Sequence, residues 1–360
     1  RRYSIMSYKQ MTGNIISATK VEPAGKFTNS AASGVWNLQD QYDYVRGGNW
    51  PNAANNIPRA LFGGGDNTGH SFAANKNVID YVTIASTGNA TDFGDLSANK
   101  RDASAFSSTT RAVFAGGFVS DAVNIMEYVT IASTGDVTDF GDLSTIRYAS
   151  AGVSSSTRGV VGGGHDNSAG PQEVIEYVTI ASTGNTTDFG DLHKELSSLS
   201  STCSSTRGIF CGGAGGSTSN NGLEYITIAS VGNTTDFGDM TAALYVAGTG
   251  VISSPTRGIV NMGGVVYGGS ATTQIEYVTI ATTGNSTDFG DMSVLAKTSG
   301  TSSSTIRGLV AGGVPASGNS IVDIQYITIA TTGDTTDFGD LTQTRDGSAG
   351  ASNSHGGIAA

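Results

Sequence analysis

A unit of about 48 residues recurs six times between residues 59 and 341, and this repeat restricts the fold more than any other feature of the chain. Each copy holds an arginine followed by a short, mostly apolar run and a Gly-Gly pair, then Tyr-Val/Ile-Thr-Ile-Ala, then Thr-Asp-Phe-Gly-Asp. The landmarks are Arg59, Arg111, Arg158, Arg207, Arg257 and Arg307; Tyr81, Tyr128, Tyr177, Tyr225, Tyr277 and Tyr326; and Phe93, Phe140, Phe189, Phe237, Phe289 and Phe338. A fixed period of this length indicates a repeat architecture.

Each unit contains four short extended segments, as residues 147–192 illustrate. Residues 149–155 are small and hydroxylated, and residues 159–161 form an apolar run that ends in three glycines. Polar and apolar residues partly alternate over 175–180, which is typical of a half-buried strand. A Ser-Thr-Gly-Asn turn leads from there into 187–192. We therefore predict four antiparallel strands per unit, joined by short turns.

A four-stranded sheet of this size cannot bury both faces alone, whereas six sheets packed radially can. The sequence thus predicts an all-β fold, a six-bladed β-propeller with four-stranded blades. Small residues in the first segment fit the crowding of six strands around one axis. A linear β-solenoid is the alternative, although solenoid coils usually run ~20–30 residues.

The two ends of the repeat region indicate how the ring closes. No serine-rich first strand precedes Arg59, whereas residues 346–354 resemble one and are followed by His355 where an arginine is expected. We predict that residues 346–354 supply the missing inner strand of the first blade, which also protects a sheet edge.

Residues 1–58 form a separate N-terminal arm without repeats, predicted to be mostly irregular. Six bases and three acids give the arm a net charge of +3. Because the whole chain has a net charge of −11, the remaining residues carry −14. Its apolar anchors are too few for a core of normal size. We expect the arm to dock on a partner or a neighbouring copy, in a homo-oligomer, or to cap its own propeller. The docking candidates are Val35, Trp36, Leu38, Tyr42, Tyr44 and Trp50.

Composition excludes several classes of function. The acidic balance argues against nucleic-acid binding, which needs Lys and Arg on phosphates. No run of about 20 apolar residues predicts a membrane-spanning helix, and no secretory signal is visible. Two cysteines cannot supply a disulfide framework for 360 residues.

The repeat carries a family resemblance. Arg-x4-Gly-Gly, Glu-Tyr-Val-Thr-Ile and Asp-Phe-Gly-Asp together resemble a kelch-type propeller repeat, with Phe where kelch repeats usually have Trp. A longer stretch of the repeat resembles repeats in virion structural and tail-fibre-like proteins of marine cyanophages and related bacteriophages. Its sequence is Tyr-Val-Thr-Ile-Ala-Ser-Thr-Gly-Asn-x-Thr-Asp-Phe-Gly-Asp-Leu. Ser33-Gly-Val-Trp36-Asn-Leu and Gly-Gly-Asn-Trp50-Pro resemble an N-terminal module of such phage proteins. The resemblance implies a location in the virion.

Residue patterns that could suggest a catalytic or metal site are better explained as parts of the repeat. Asp-Phe-Gly occurs in protein kinases, but here it fills one structural position six times without a kinase lysine strand. Its aspartates fit calcium poorly; pairing with arginines, such as Asp191 with Arg158 or Arg207, is the preferred interpretation. The histidines occupy differing repeat positions, so neither a copper oxidase site nor a hydrolase triad is indicated. We expect no enzyme activity, catalytic residue, metal site or cofactor.

Asn-x-Ser/Thr sequons occur at Asn89, Asn185, Asn233 and Asn285, each in the same hairpin turn. Asp136 and Asp334 hold this place in the other two units. A turn explains this choice of residues without glycosylation.

Loops between the second and third strands vary while the scaffold stays constant, and variable loops on a rigid scaffold often carry recognition. They cover about 65–79, 118–126, 164–174, 214–222, 265–274 and 314–321. Candidate ligand contacts, to a saccharide or a protein, are His70, Phe72, Lys76 and Tyr267; neutral drift is the alternative.

These observations favour a non-enzymatic virion structural protein of the tail-fibre type. Its arm would dock to other virion proteins, and its propeller would project as a spacer or as an adhesin for a host-surface glycan or protein. An internal or lateral assembly protein without receptor binding is the alternative, and a galactose-oxidase-like or glycan-hydrolase enzyme is a third hypothesis.

Overall fold

The computed structural model describes residues 57–358, except for 69–74, 217, 245–249, 266–270 and 316–317. The arm therefore lies outside the described residues apart from its last two positions. These described residues form β-strands and no helix, and none could span a membrane as a helix. The strands, in chain order, are β1 (Arg59–Gly63), β2 (Val78–Thr83), β3 (Thr91–Asp95), β4 (Ser104–Ser107), β5 (Arg111–Ala115), β6 (Ile125–Thr130), β7 (Thr138–Asp142), β8 (Ala151–Ser154), β9 (Arg158–Gly162), β10 (His165–Asp166), β11 (Gly170–Thr179), β12 (Thr187–Leu196), β13 (Ser200–Cys203), β14 (Arg207–Cys211), β15 (Ala214–Gly215), β16 (Thr218–Ser219), β17 (Gly222–Thr227), β18 (Thr235–Asp239), β19 (Arg257–Val265), β20 (Ala271–Thr279), β21 (Thr287–Asp291), β22 (Gly300–Ser303), β23 (Arg307–Ala311), β24 (Asp323–Thr328), β25 (Thr336–Asp340) and β26 (Ala349–Ser352).

The strands form six antiparallel blades, which confirms the predicted all-β, six-bladed propeller. From the axis outwards, blade 1 is β26-β1-β2-β3, blade 2 is β4 to β7, blade 3 is β8-β9-β11-β12, blade 4 is β13-β14-β17-β18, and blade 6 is β22 to β25. Blade 5 is β19-β20-β21, and residues 251–253 reach the position inside β19 by bridges to Ser201 and Gly258.

The propeller has two different faces. We call the face that carries the loops between second and third strands, together with the linkers from one blade to the next, the upper face. The lower face carries the hairpins from first to second and from third to fourth strands. Because neighbouring strands are antiparallel, every blade contributes the same type of connection to the same face.

The ends of the propeller meet in blade 1. Strand β26, which lies within the predicted segment 346–354, pairs with β1 in the register Ala60 to Ser352 through Gly63 to Ala349. Beyond β26, Asn353 holds the start of β1: its Oδ1 accepts a hydrogen bond from the Arg59 amide at 2.9 Å, and its Nδ2 donates to the Ile57 carbonyl at 3.2 Å. The chain thus enters and closes the ring at the lower face.

The inner strands are joined by side-chain hydroxyls. Ser107 Oγ donates to the carbonyl of Ser352 at 2.6 Å, and Ser201 Oγ donates to the carbonyl of Gly152 at 2.7 Å. A longer side chain cannot make such a bond where backbones lie this close; a Cβ on Gly350 would lie 1.9 Å from the Thr301 carbonyl oxygen. The predicted crowding explains the small, hydroxylated residues of this strand.

A clasp of arginine, tyrosine and phenylalanine repeats around the ring. Each arginine at the start of a second strand lies over the tyrosine of its own blade, 4.3–5.0 Å from the ring centroid. Its Nη1 donates at 2.8–3.1 Å to an isoleucine carbonyl of the next blade, and the tyrosine meets the motif phenylalanine edge-on. The predicted pairing of Asp191 with Arg158 or Arg207 is wrong, because these guanidinium groups are committed to tyrosine and carbonyl partners.

The Asp-Phe-Gly-Asp motif contains a β-bulge. In blade 2 Met126 faces Gly141 and Glu127 faces Asp139, so Phe140 between them has no partner on β6. The extra residue turns the phenylalanine ring into the contact between blades, where its exposed fraction is 1%. Gly141 then approaches the turn of blade 3.

Replacement of Gly141 by alanine should destabilise the propeller by about 3 kcal/mol. Its φ is +140°, and an added Cβ would lie 2.4 Å from the carbonyl oxygen of Gly184. Gly184→Ala is the matched control: its φ is +155° but no atom lies within 4 Å of its Cβ position, so only backbone strain of ~1 kcal/mol is expected. Urea unfolding of both variants measures the difference; equal losses would show that the contact between blades does not matter.

The hairpin-turn residue that starts each sequon caps the outer strand of the preceding blade. The side-chain Oδ1 of Asn233 accepts a hydrogen bond from the Asp191 amide at 3.1 Å, and Asp136 does the same for the Asp95 amide at 3.0 Å. Both residue types supply the same acceptor, which explains why they alternate at this position.

A buried acid lies between blades beside five of the six repeat tyrosines, and Gln325 takes this position in blade 6. Three of these acids have a cation from the preceding linker: Lys100 with Glu127, Arg147 with Glu176, and Arg345 with Asp80. Burial lowers the pKa of Arg147 and of Arg345, and the partner carboxylate opposes this shift.

The remaining three interfaces have Leu196, Leu244 or Ala296 in place of the cation. A turn hydroxyl donates to the buried side chain there, as Thr186 also does to Glu176 in blade 3. Thr234 donates to Glu224, Ser286 to Glu276, and Thr335 to Gln325. Blades 1 and 2, which keep the cation, have Ala90 and Val137 at that turn position.

Residues after β26 fill the lower end of the axis. Ser354 bridges Ser304, and the Gly356 amide donates to the Ser253 carbonyl at 3.0 Å. His355 is therefore buried at the axis rather than in an arginine position, and its Nδ1 accepts a hydrogen bond from the Gly357 amide at 3.0 Å.

Burial lowers the pKa of His355 from 6.5 to about 4, so its neutral form is favoured in the folded protein. As the pH falls below 6.5, His355 becomes protonated in the unfolded chain before it does so in the folded protein. The free energy of unfolding should therefore decrease between pH 6.5 and 4, by up to about 3 kcal/mol. His355→Asn retains an acceptor for the Gly357 amide but does not titrate, so its stability curve should be flatter between pH 6.5 and 4.5. Parallel curves for the two proteins in urea unfolding would refute this assignment.

Candidate functional site

The upper face combines a constant backbone with variable side chains around the axis. In five blades the residue after the Gly-Gly pair forms an antiparallel bridge with a residue of the preceding linker. These pairs are Asp66 with Asp346, Phe118 with Arg101, His165 with Tyr148, Ala214 with Ser197, and Val314 with Lys297. The side chains differ in charge, size and aromatic character although their backbone positions are equivalent, so this ring is where the blades differ in chemistry.

The linker residue that follows each bridge adopts a left-handed conformation. The residues are Asp102, Ala149, Ser198, Thr298 and Gly347, with φ between 52° and 62°. Four of these residues donate a backbone hydrogen bond to the carbonyl of the equivalent residue one blade earlier, at 2.6–2.8 Å. The bonds run from Gly347 to Thr298, from Asp102 to Gly347, from Ala149 to Asp102 and from Ser198 to Ala149. This chain of peptide hydrogen bonds fixes the positions of the variable side chains, because it leaves the linkers little freedom to move.

An open pocket of about 220 Å³ lies on this face between blades 3 and 4. Its walls include Tyr148, Ala149, His165, Ser197, Ser198 and Ala214. The backbone of Tyr148 exchanges two hydrogen bonds with that of His165, at 2.8 and 3.1 Å. Ser197 and Ala214 are joined in the same way on the opposite wall, at 2.8 and 3.0 Å. Both walls are therefore rigid parts of the propeller.

Aromatic rings support one wall of the pocket. The Tyr148 ring lies 5.3 Å from the His165 ring and 5.1 Å from the edge-on Phe118 ring, centroid to centroid. The Arg101 guanidinium lies over the Phe118 ring, 5.0 Å from its centroid. Burial raises the pKa of the Tyr148 hydroxyl, so at neutral pH it remains a protonated donor and acceptor.

Of the residues predicted from the sequence to contact a ligand, the structure describes Lys76 alone. His70, Phe72 and Tyr267, and the docking candidates Trp36, Leu38, Tyr42, Tyr44 and Trp50, lie outside the described residues. Lys76 is described: it lies on the upper face in blade 1, where its amide donates to the Gly65 carbonyl at 2.7 Å.

Sequence reasoning missed Tyr148 and Ser197, because it looked for variation only in the loops between second and third strands. The signal was present in the linkers, where the eighth residue after each motif phenylalanine changes from blade to blade.

The cysteines and acids supply no other site among the residues described. Cys203 and Cys211 are buried free thiols; burial raises the pKa of Cys203 to about 12 and that of Cys211 further. Their nucleophilic thiolate forms are thus disfavoured. Within the described part of the chain, no three His, Cys, Asp or Glu side chains are arranged to hold a metal ion.

No protein-family model matches the chain, and no curated protein matches it.

Proposed function

We propose that this chain is a non-enzymatic virion structural protein of the tail-fibre type. In this proposal residues 1–58 dock to other virion proteins in a homo-oligomer. The propeller projects its upper face towards a host-surface glycan or protein.

The observation that carries this proposal is that the start of β1 and the ring of variable residues lie on opposite faces of the propeller. The chain enters the propeller at the lower face, where Asn353 holds Ile57 and Arg59. The residues that differ between blades lie around the axis on the opposite face. In the proposal the upper face meets the ligand because the residues that differ between blades lie there. The resemblance of the repeat sequence to repeats of phage virion proteins supports a location in the virion.

Antibody labelling of intact particles tests the proposal. An antibody against the exposed upper-face residues 167–169 should label particles and reduce their adsorption to host cells. The control is an antibody raised against the lower hairpin 230–232, which should label without blocking adsorption. If neither epitope is accessible until particles are disrupted, the chain is instead an internal assembly protein.

A further inference from the structure

We propose that the pocket between blades 3 and 4 binds a neutral saccharide. This inference deepens the proposed function and rests on it in one respect: the upper face must be the face that meets a ligand. It assigns the recognition to one pocket and to one chemical class.

The lining of the pocket selects against charged ligands. Among the described residues that line it there is no Lys, Arg, Asp or Glu. A charged ligand group would lose its hydration here without gaining a paired charge. The repeat region carries a net charge of −14 when the arm's +3 is subtracted from −11, so acidic ligands are repelled over a longer range as well.

The lining suits a ring that has hydroxyl edges and apolar faces. Tyr148 and His165 supply aromatic surface against which C–H groups of a sugar can pack. Hydrogen-bonding capacity comes from the hydroxyls of Tyr148 and Ser198, each of which can donate and accept a bond, as a sugar hydroxyl can.

The site is built before any ligand arrives. Tyr148 is held by the Phe118 edge and by its backbone bridge to His165, and the pocket floor at Ala149 and Ser198 belongs to the hydrogen-bonded chain of linkers. Little conformational freedom is therefore lost on binding.

A glycan array probed with the full chain tests the proposal. The array carries neutral hexose and N-acetylhexosamine oligosaccharides beside sialylated and sulfated ones, and we expect retention on neutral members only. Tyr148→Ala should weaken binding about tenfold, because one aromatic face is lost. Ala214→Leu keeps both rings but occupies the pocket, and should weaken binding to the same neutral glycans by a similar factor.

Lys297→Ala is the matched control, since Lys297 holds the repeat position of Tyr148 in another linker. It should leave binding unchanged, and thermal unfolding of all three variants checks that each is folded. The proposal is overturned if no neutral glycan is retained, if the two pocket variants bind like the unmodified chain, or if the control weakens binding equally. Labelling of the upper face on particles together with a blank array would reject the saccharide pocket and leave the proposed function standing.

Discussion

Removal of residues 349–360 is expected to abolish cooperative folding of the propeller. The deletion takes away β26, which pairs with β1 over four residues, and the segment that fills the lower end of the axis. It also removes Asn353, which holds the start of β1. Blade 1 is left without its inner strand and cannot join blade 6 to blade 2, so the loss should reach the whole stability of a typical domain, about 5–15 kcal/mol.

Circular dichroism and thermal unfolding measure this effect. A chain lacking only residues 359–360 retains β26 and all the contacts named above, and should unfold like the intact protein. Addition of a synthetic peptide covering residues 346–358 to the truncated chain should restore part of the cooperative transition. A truncated chain that unfolds at the unmodified temperature would refute the importance of this closure.

The second large effect concerns the buried ion pair at the same closure. Arg345 and Asp80 are both fully buried, and their side chains approach within 2.6 Å. Arg345→Ala should cost about 3–5 kcal/mol, because Asp80 keeps a buried charge without its cation. Thr342 remains as a hydrogen-bond partner, but Ala90 offers no hydroxyl where blades 4 to 6 have one.

The propeller itself supplies the matched control for this variant. The interface between blades 5 and 6 has Ala296, Gln325 and Thr335 at the three positions, with no charge. The triple variant Arg345→Ala, Asp80→Gln, Ala90→Thr transfers that set to the closure and should recover most of the lost stability in urea unfolding. If the triple variant is no more stable than Arg345→Ala, the uncompensated charge is not the cause of the loss.

The blades could be predicted from the sequence because the repeat marks every strand in the same order. The β-bulge at Phe140 could not, since alternation within a strand assumes one residue opposite another. The ion pair of Arg345 with Asp80 was equally hidden: its members lie 265 residues apart, and it forms only once the ring is closed. A period reveals which residues are equivalent, but the contacts that join one blade to the next depend on how the units are stacked.

The candidate site shows the same limit. The sequence analysis placed recognition in the variable loops, and His165 and Ala214 of the pocket do lie in loops 164–174 and 214–222. Tyr148 and Ser197, by contrast, come from linkers. The linkers could not be predicted as part of a site, because the sequence of one unit does not reveal that a linker residue forms a β-bridge with the following blade.

The position of Asn353 has a mechanical consequence under the proposed function. A pull between the arm and a ligand on the upper face enters the propeller at Ile57 and runs along β1. This strand is hydrogen-bonded on one side to β26 and on the other to β2, and those bonds lie across the direction of the pull. Both ladders are therefore loaded in shear, and many bonds must break together rather than one after another.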